Sequence, residues 1–487
     1  MFNFILIIGI TLLTVGLAVV LSKIGGGGSK SAAAVDNKDF LLGGGNLGAL
    51  VSAGTLCATY WSGHAFVGSV GTGYGYGYTQ LIAGAAYVPA LVFACIFLAK
   101  FLKRKAENMG ALSVTEYAGR IHGSRAVHML GAIANVVLMF VMLLTQFQAL
   151  GALLEPIVGI DGDIIVVIIG GICVAYTIFG GLKTIAYSDM LMAIGMTIGA
   201  IICVIIVFSY TSLGEMTDKL MAIDSELANP TTGAPYGSMQ WGAFLIVPYA
   251  AVGLIATPYT ATRFLSVKKD IKWWKFGFWC CVFAMTWEIL PFVGTFIRSQ
   301  GIELPVADDA MGYFLANYVN PVIMAFVAVC ILMAIRSTVD SLLQSISASI
   351  SYDMRYVLND GKGMDDTAKS MRYNRIAVAV VGIIGIAFNF LTQPTFLVFL
   401  GTLGTGTLQS IMFGPMFIST FWQGNKYGAI ASMIGGGLVT SYCLLSEVLM
   451  WTMAPLAGDL TAAVLYFVVS AATFKICPRA QVQSAII

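Results

Sequence analysis

The chain has 487 residues and a formal net charge of +2; 58% of its residues are hydrophobic and 10% are charged. An average soluble domain carries about 25% charged residues, so this composition excludes a soluble globular protein, and the small net charge favours no nucleic-acid partner. The apolar runs are long and continuous, whereas membrane β-strands alternate over about ten residues. The composition therefore predicts an all-α integral membrane protein.

Thirteen apolar runs, separated by charged or Gly/Pro-rich breaks, have the length of a membrane crossing. Such a crossing takes about 20 predominantly apolar residues. In chain order the predicted spans are 2–22, 46–70, 77–99, 127–155, 163–181, 187–210, 240–262, 273–297, 318–350, 374–391, 395–421, 427–447 and 459–475. The first run lacks the basic start and the cleavage site of a signal peptide, so we expect it to stay as a helix.

The distribution of lysine and arginine predicts the orientation, because basic residues are retained in short cytoplasmic loops. With the N-terminus outside, all of them except Lys219, Arg298 and Arg336 fall in cytoplasmic segments. Lys219 and Arg298 belong to loops that are otherwise acidic, which leaves Arg336 inside the membrane. We predict a multi-pass protein of the inner (plasma) membrane with a cytoplasmic C-terminus.

Two of the predicted spans, 46–70 and 240–262, are interrupted by glycine or proline. The interrupting residues are Gly63, Gly68 and Gly71 in the first and Pro248, Gly253 and Pro258 in the second. Broken helices at membrane depth are tolerated only where they line a cavity or bind an ion. The breaks lie five crossings apart, as expected of two inverted five-helix repeats.

A series of ordered motifs identifies a family. They are DFLLGG at 39–44, ATYWSG at 58–63, QFQALGALLE at 146–155, YTIFGGL at 176–182 followed by Ser188-Asp189, PYTATRF at 258–264, AIRSTVDS at 334–341 and FGP at 413–415. On these motifs the chain resembles the sodium/solute symporter family, which includes the bacterial pantothenate, monocarboxylate and proline symporters and the sodium/glucose transporters. The resemblance implies a leucine-transporter-type fold with one extra N-terminal and two extra C-terminal helices.

We expect a single transmembrane transporter domain over 1–487. Its predicted parts are an extra first helix and cytoplasmic loop at 1–45, the first repeat at 46–210, the second repeat at 240–421 and the C-terminal helices at 427–487. Neither a nucleophile–base constellation nor a nucleotide-binding loop is present in the sequence, so an enzyme is not expected. The cysteines and histidines show no spacing typical of a transition-metal site.

One pattern predicts a sodium site. Ser337 and Thr338 follow Ala334 by one helical turn, so their hydroxyls can meet its carbonyl, and sodium prefers such oxygen ligands. The resemblance implies the carbonyls of Ala58 and Trp61 as the remaining ligands, with Na⁺ as the coupling ion. The alternative is that both hydroxyls only bond back to carbonyls of their own helix.

Further charged residues are predicted near this site. The resemblance implies either a second cation site or a sodium exit path at Asp189, Asp340 and Ser341, although some relatives have a hydroxyl at the position of Asp340. Arg336 has two interpretations: an ion pair with Asp340 four residues on, or a bidentate contact to a substrate carboxylate. Most relatives have an apolar residue at the position of Arg336.

The predicted solute site lies at mid-membrane between the broken helices and the third and tenth core helices, which are the predicted spans 127–155 and 395–421. Its candidate residues are Thr59, Tyr60, Ser62, His64, Gln146, Gln148, Tyr259, Thr260, Arg336 and Gln409. Each of these side chains has the alternative of satisfying only a neighbouring helix. For Glu288, the other embedded charge, we expect a structural role. An arginine of the pantothenate branch is Ala152 here, so the substrate need not be that of the branch.

These inferences predict a sodium-coupled secondary active symporter that imports a small organic solute by alternating access, and we favour a carboxylate-bearing metabolite. The open alternatives are an amino acid or sugar symporter, a proton-coupled symporter using Asp189 or Asp340, a solute-sensing membrane protein and a passive facilitator. The expected partners are the solute and membrane lipid, with neither nucleic acid nor an obligate protein partner.

Overall fold

The computed structural model describes residues 37–362, 367–391, 397–449 and 452–480, together with residues 9, 13, 16, 17 and 20. Within these residues the chain is helical and contains no strand; one isolated bridge pairs Leu47 with Val267. The predicted all-α fold class is thereby confirmed. The predicted span 2–22 lies almost wholly outside the described residues.

Twenty-two helices are described, numbered here in chain order. They are α1 Asn37–Leu42, α2 Ala49–Phe66, α3 Gly68–Tyr76, α4 Tyr78–Phe93, α5 Ala99–Asn108, α6 Val114–Ile121, α7 Arg125–Val158, α8 Gly162–Ile165, α9 Gly171–Tyr210, α10 Leu213–Ile223, α11 Ile246–Ala256, α12 Pro258–Ser266, α13 Trp273–Trp287, α14 Pro291–Ser299, α15 Ala310–Tyr318, α16 Pro321–Ala348, α17 Arg355–Leu358, α18 Thr367–Asn389, α19 Leu397–Met412, α20 Ser419–Phe421, α21 Lys426–Leu445 and α22 Met453–Ala472.

Shorter helical segments connect or extend these elements. Four are π-helical, Ala94–Leu98, Val166–Gly170, Ser349–Met354 and Phe413–Ile418, and four are 3₁₀-helical, Gly43–Gly45, Ser225–Ala228, Gly242–Leu245 and Ala307–Asp309. The π segment at Ala94–Leu98 joins α4 to α5, so that Tyr78–Asn108 forms one span.

Polar residues at the helix starts set several of the boundaries. The side chains of Ser124, Asn320 and Asn425 accept hydrogen bonds from backbone N–H groups in the first turns of α7, α16 and α21. Each cap satisfies donors that have no partner inside their own helix. Pro321 follows Asn320 at the first position of α16, where a proline lacks no needed hydrogen bond.

Eight helices of the described chain are long and apolar enough to cross a membrane, or nine when α11 and α12 are taken as one bent span. This supports a multi-pass membrane protein, while the count of thirteen stays a prediction. The 40-residue helix α9 covers most of the predicted span 163–181 and all of 187–210. At 1.5 Å per residue it is about 60 Å long, roughly twice the thickness of the hydrocarbon core.

Both predicted breaks are present. In α2 the helix is interrupted at Ser62, whose φ of 52° and ψ of −163° are non-helical. Between α11 and α12 the chain bends by 65° at Thr257. Thr257 precedes Pro258, and a proline disfavours the helical conformation of the residue before it.

The broken helix α2 lies at the centre of the bundle, packed against α9, α13 and α16. A β-carbon on Gly63 would lie 2.6 Å from Cγ1 of Ile335. The absence of a side chain at 63 therefore lets α2 approach α16 closely. At the periphery, α9 exposes large apolar side chains such as Ile205, which is 63% exposed.

Candidate sodium and solute site

Helix α16 brings two hydroxyls to the carbonyls of the broken helix α2. Ser337 Oγ lies 3.0 Å from the carbonyl oxygen of Ala58 and 2.8 Å from that of Ala334. Thr338 Oγ1 lies 3.4 Å from the carbonyl of Ala58, 3.2 Å from that of Thr59 and 3.5 Å from that of Ala334. Both side chains are fully buried. Backbone and hydroxyl oxygens from two helices thus meet in one place.

This geometry contains both contacts considered from the sequence. The hydroxyls reach the carbonyl of Ala334 one turn earlier, and they also reach across to α2. Bonding back within one helix explains the first contact but not the second. The side chain of Trp61, the fifth predicted residue, turns away to Glu288 and donates Nε1 to Oε1 at 2.7 Å. A role of Trp61 would therefore rest on its carbonyl, beside the break at Ser62.

A cavity of about 150 Å³, called the solute cavity below, lies next to this region. It is bounded by α2, α3, α4, α7, α11, α12 and α19 and by the segments carrying Tyr236, Glu288 and Thr452. Four of the predicted solute residues line it: Tyr60, His64, Gln146 and Tyr259. They come from three helices of the predicted site, α2, α7 and α12.

Other predicted solute residues point elsewhere, and Gln148 does not line the cavity. Thr59 Oγ1 contacts Ser341 Oγ at 2.9 Å, and the Ser62 hydroxyl accepts a bond from the N–H of His64. Gln409 lies beyond the cavity wall and donates its amide to Asp459 Oδ2 at 2.7 Å.

Thr260 is also absent from the cavity lining. Its hydroxyl donates within the bend between α11 and α12, 3.0 Å from the carbonyl of Leu254.

Arg336 is also absent from the cavity wall. Its guanidinium lies over the ring of Tyr176 with 4.8 Å to the ring centroid, and its Nε is 3.5 Å from Asp340 Oδ2. It also donates to Ser188 Oγ at 3.3 Å. Of the two interpretations weighed from the sequence, this geometry favours the ion pair with Asp340. Only 2% of the arginine side chain is exposed, which suits a paired buried charge.

A second buried arginine that the sequence reasoning missed, Arg263, joins the same region. Its NH2 nitrogen is 3.8 Å from Asp189 Oδ2, 3.3 Å from Thr59 Oγ1, and donates to Ser341 Oγ. Asp189 also accepts a bond from Thr55 Oγ1 at 2.6 Å. We call Asp189, Arg263, Arg336 and Asp340 the paired charge cluster; its two carboxylates and two guanidiniums balance in charge.

This cluster bears on the predicted second cation site. Asp189 and Ser341 both contact the guanidinium of Arg263, while Asp340 contacts Arg336 and accepts a bond from Thr177 at 3.0 Å. The residues implied for a second cation site therefore already contact two cationic side chains, Arg263 and Arg336. The available sequence signal was a basic residue, Arg263, in the motif at 258–264 at the end of an apolar span.

The cavity wall also contains residues that the sequence analysis did not select for the solute site. They are mainly aromatic or hydroxyl-bearing and include Trp61, Tyr87, Thr145, Tyr249, Glu288 and Thr405. Glu288 caps the C-terminal end of α13, three residues before Pro291 starts α14. The sequence signal for Glu288 was a glutamate close to a proline inside an apolar span. A proline interrupts or kinks the helix, and a side chain at such an interruption can face a neighbouring helix.

A smaller cavity of about 40 Å³ borders the paired charge cluster at Arg263. It is lined by Arg263, Ser341 and Gln344 among others, and Tyr259 borders both cavities. Two cavities that share a lining residue, Tyr259, are compatible with a central site reached from alternating sides.

A bundle of membrane-crossing helices with two broken helices around a cavity is the structure of a membrane transporter. The sodium:solute symporter family model matches residues 40–436, and the chain belongs to this family. The resemblance read from the motifs is thereby confirmed.

Three known proteins illustrate the relationship. The sodium/pantothenate symporter of Escherichia coli (strain K12) is 25% identical over 439 residues, covering 88% of this chain and 89% of the relative. The high-affinity proline transporter PutP of Bacillus subtilis (strain 168) is 24% identical over 447 residues, covering 87% and 88%. The solved substrate-bound, outward-open state of a Na⁺-coupled sialic acid symporter matches with a TM-score of 0.78 at 15% identity, covering 97% of this chain and 98% of that one, which shows a shared fold.

Proposed function

We propose that this protein imports a small organic solute together with sodium by alternating access. One observation carries the proposal: the hydroxyls of Ser337 and Thr338 on α16 meet the carbonyl of Ala58 on the broken helix α2. Family membership supports sodium as the coupling ion. In this proposal sodium is held by the carbonyls of Ala58, Trp61 and Ala334 and by the two hydroxyls.

The proposed coupling follows from where this site lies. An ion bound there would bridge α2 and α16 and hold the broken helix in one arrangement. Loss of the ion would remove that bridge and allow the wall at Tyr259 to open on the other side. With the N-terminus outside, as the lysine and arginine distribution predicts, the larger cavity faces outwards and the smaller one faces the cytoplasm.

The stoichiometry we propose is one sodium per chain. Arg263 and Arg336 neutralise Asp189 and Asp340, so another cation in this cluster would meet unfavourable charge. The role proposed for Asp189 is on the exit path, since it contacts Arg263, which lines the smaller cavity together with Ser341.

The solute is proposed to occupy the solute cavity, next to Tyr60, Gln146 and Tyr259. The preference for a carboxylate-bearing metabolite now rests on the ATYWSG motif and on the relatives named for pantothenate and proline, both of which are carboxylates. It no longer rests on Arg336, which is paired with Asp340 away from the cavity.

The test is the thermal stability of the detergent-purified protein in sodium chloride against equimolar potassium chloride. A ligand that binds only the folded state stabilises it by RT ln(1 + [L]/Kd), which is about 2.7 kcal/mol at 100 times Kd. We expect sodium to stabilise the parent and Thr338→Ala to lose most of this effect. Thr197→Ala is the matched control, because within the described chain the Thr197 hydroxyl bonds to Ala193 of its own helix. Equal stability of the parent in the two salts would contradict the proposal.

A further inference from the structure

The electrostatic character of the solute cavity is set by one residue. Among the described residues that line it, Glu288 is the one carboxylate, and neither a lysine nor an arginine contributes. The nearby guanidiniums of Arg263 and Arg336 belong to the paired charge cluster and are each 2% exposed. Among the described residues, the cavity wall therefore carries one acidic group and neither a lysine nor an arginine to balance it.

The carboxyl group of Glu288 is only half satisfied by the protein. Oε1 accepts the bond from Trp61 Nε1 at 2.7 Å. Oε2 has neither a hydrogen bond nor an ion pair with any residue of the described chain. It lies beside Gly84, where an added β-carbon would come within 2.5 Å of it. A carboxylate at membrane depth with a single donor lacks the partner that normally offsets its desolvation.

Aromatic rings line the cavity together with this carboxylate. The ring centroids of Trp61 and Tyr87 are 5.1 Å apart, those of Tyr60 and Trp61 5.4 Å, and those of Tyr60 and Tyr87 5.8 Å. All three side chains line the solute cavity with Glu288. Aromatic rings attract a cation through their negative faces, and several rings with one carboxylate are the usual means of binding an ammonium group.

From this geometry we propose that the solute binds through a positively charged nitrogen, a protonated amine or a quaternary ammonium, placed between Glu288 Oε2 and the rings of Tyr60, Trp61 and Tyr87. The inference rests on the proposed function and names the substrate class of the same site. Glu288 becomes a specificity-determining residue in place of the structural role expected from the sequence. A solute that also bears a carboxylate is then a zwitterion whose carboxylate lies away from Glu288.

The proposed substrate class can be tested with pairs of solutes of the same shape, in which one member has a charged nitrogen and the other has carbon in its place. Glycine betaine is compared with 3,3-dimethylbutanoate, and L-proline with cyclopentanecarboxylate, with choline and 3,3-dimethylbutan-1-ol as the pair without a carboxylate. Binding of each solute to the purified protein is measured in sodium chloride by thermal stabilisation. We expect the nitrogen member of at least one pair to bind at least about tenfold more tightly than its carbon isostere, a difference of about 1.4 kcal/mol.

The variant Glu288→Gln keeps the size of the side chain and the acceptor for Trp61, and we expect it to remove this preference. Glu215→Gln, on the exposed surface of α10, is the matched control and should retain it. If the carbon isosteres bind equally well, if no nitrogen-bearing solute stabilises the parent, or if the preference survives in Glu288→Gln, the inference is overturned. The comparison within the parent needs no variant to fold.

The failure of this inference differs from a failure of the proposed function. Sodium stabilisation measured without any solute reports on the sodium site alone. Sodium stabilisation together with no preference for nitrogen-bearing solutes would overturn the substrate class and leave sodium coupling intact. Absence of sodium stabilisation would overturn the proposed function itself.

Discussion

The ion pair between Arg263 and Asp189 is predicted to be strongly coupled, since both side chains are almost completely removed from solvent. The exposed fractions of the Arg263 and Asp189 side chains are 2% and 0%, and the guanidinium also donates hydrogen bonds to Thr59 and Ser341. Removing one partner of a buried pair leaves an uncompensated charge and costs about 3–5 kcal/mol, whereas removing both is often close to neutral. Arg263→Met should therefore cost about 3–5 kcal/mol of unfolding free energy, and adding Asp189→Asn should recover a large part of it.

The assay is a double-mutant cycle on unfolding in mixed micelles, which isolates the pairwise energy. Arg125 and Asp360 offer a matched control, because they form an ion pair whose side chains are 70% and 47% exposed. The exposed pair should give a coupling energy of about 0.2–1 kcal/mol. The reasoning is refuted if the coupling energy of Arg263 with Asp189 is no larger than that of the exposed pair.

Two other changes test the packing and the wall between the cavities. Gly63→Ala places a β-carbon 2.6 Å from Ile335 Cγ1 and should lower the unfolding free energy by about 1–3 kcal/mol through overpacking. Gly75→Ala, with no atom within 4 Å of the new carbon, is its control, and equal stability of the two variants would contradict this explanation. Tyr259→Ala should join the two cavities and raise the flux of radioactive sodium through proteoliposomes without solute, while Tyr259→Phe retains the wall. A sodium flux in Tyr259→Ala no higher than in Tyr259→Phe would show that Tyr259 is not a barrier.

Much of the bundle could be predicted from the sequence, because the hydrocarbon core demands long apolar helices whose limits are visible as charged or Gly/Pro-rich breaks. Pro258 predicted the second bend, since a proline acts on the residue before it. The first break was predicted only approximately: it lies at Ser62, whose positive φ no local pattern indicates. Helix α9 passes through Gly180 and Gly181, because glycine costs about 1 kcal/mol in a helix without ending it.

Site residues that lie on one helix could be predicted from their spacing. Contacts between side chains of different helices were harder to predict, because they depend on how the helices pack. The spacing of Ala334, Ser337 and Thr338 was enough to indicate clustered oxygens. The sequence left the partner of Arg336 undecided. The i, i+4 spacing indicates Asp340, whereas the contact with Tyr176 depends on the packing of α9 against α16. The carboxyl of Glu288 reaches the cavity only through the interruption between α13 and α14.

The proposed function depends on sodium binding where α16 meets the broken helix α2. Equilibrium binding of radioactive sodium to the purified protein, in the parent and in Thr338→Ala, tests it most directly. We expect saturable binding of a single sodium ion per chain, strongly weakened in Thr338→Ala and unchanged in Thr197→Ala. Binding that is absent from the parent, or that is as tight in Thr338→Ala as in the parent, would contradict it.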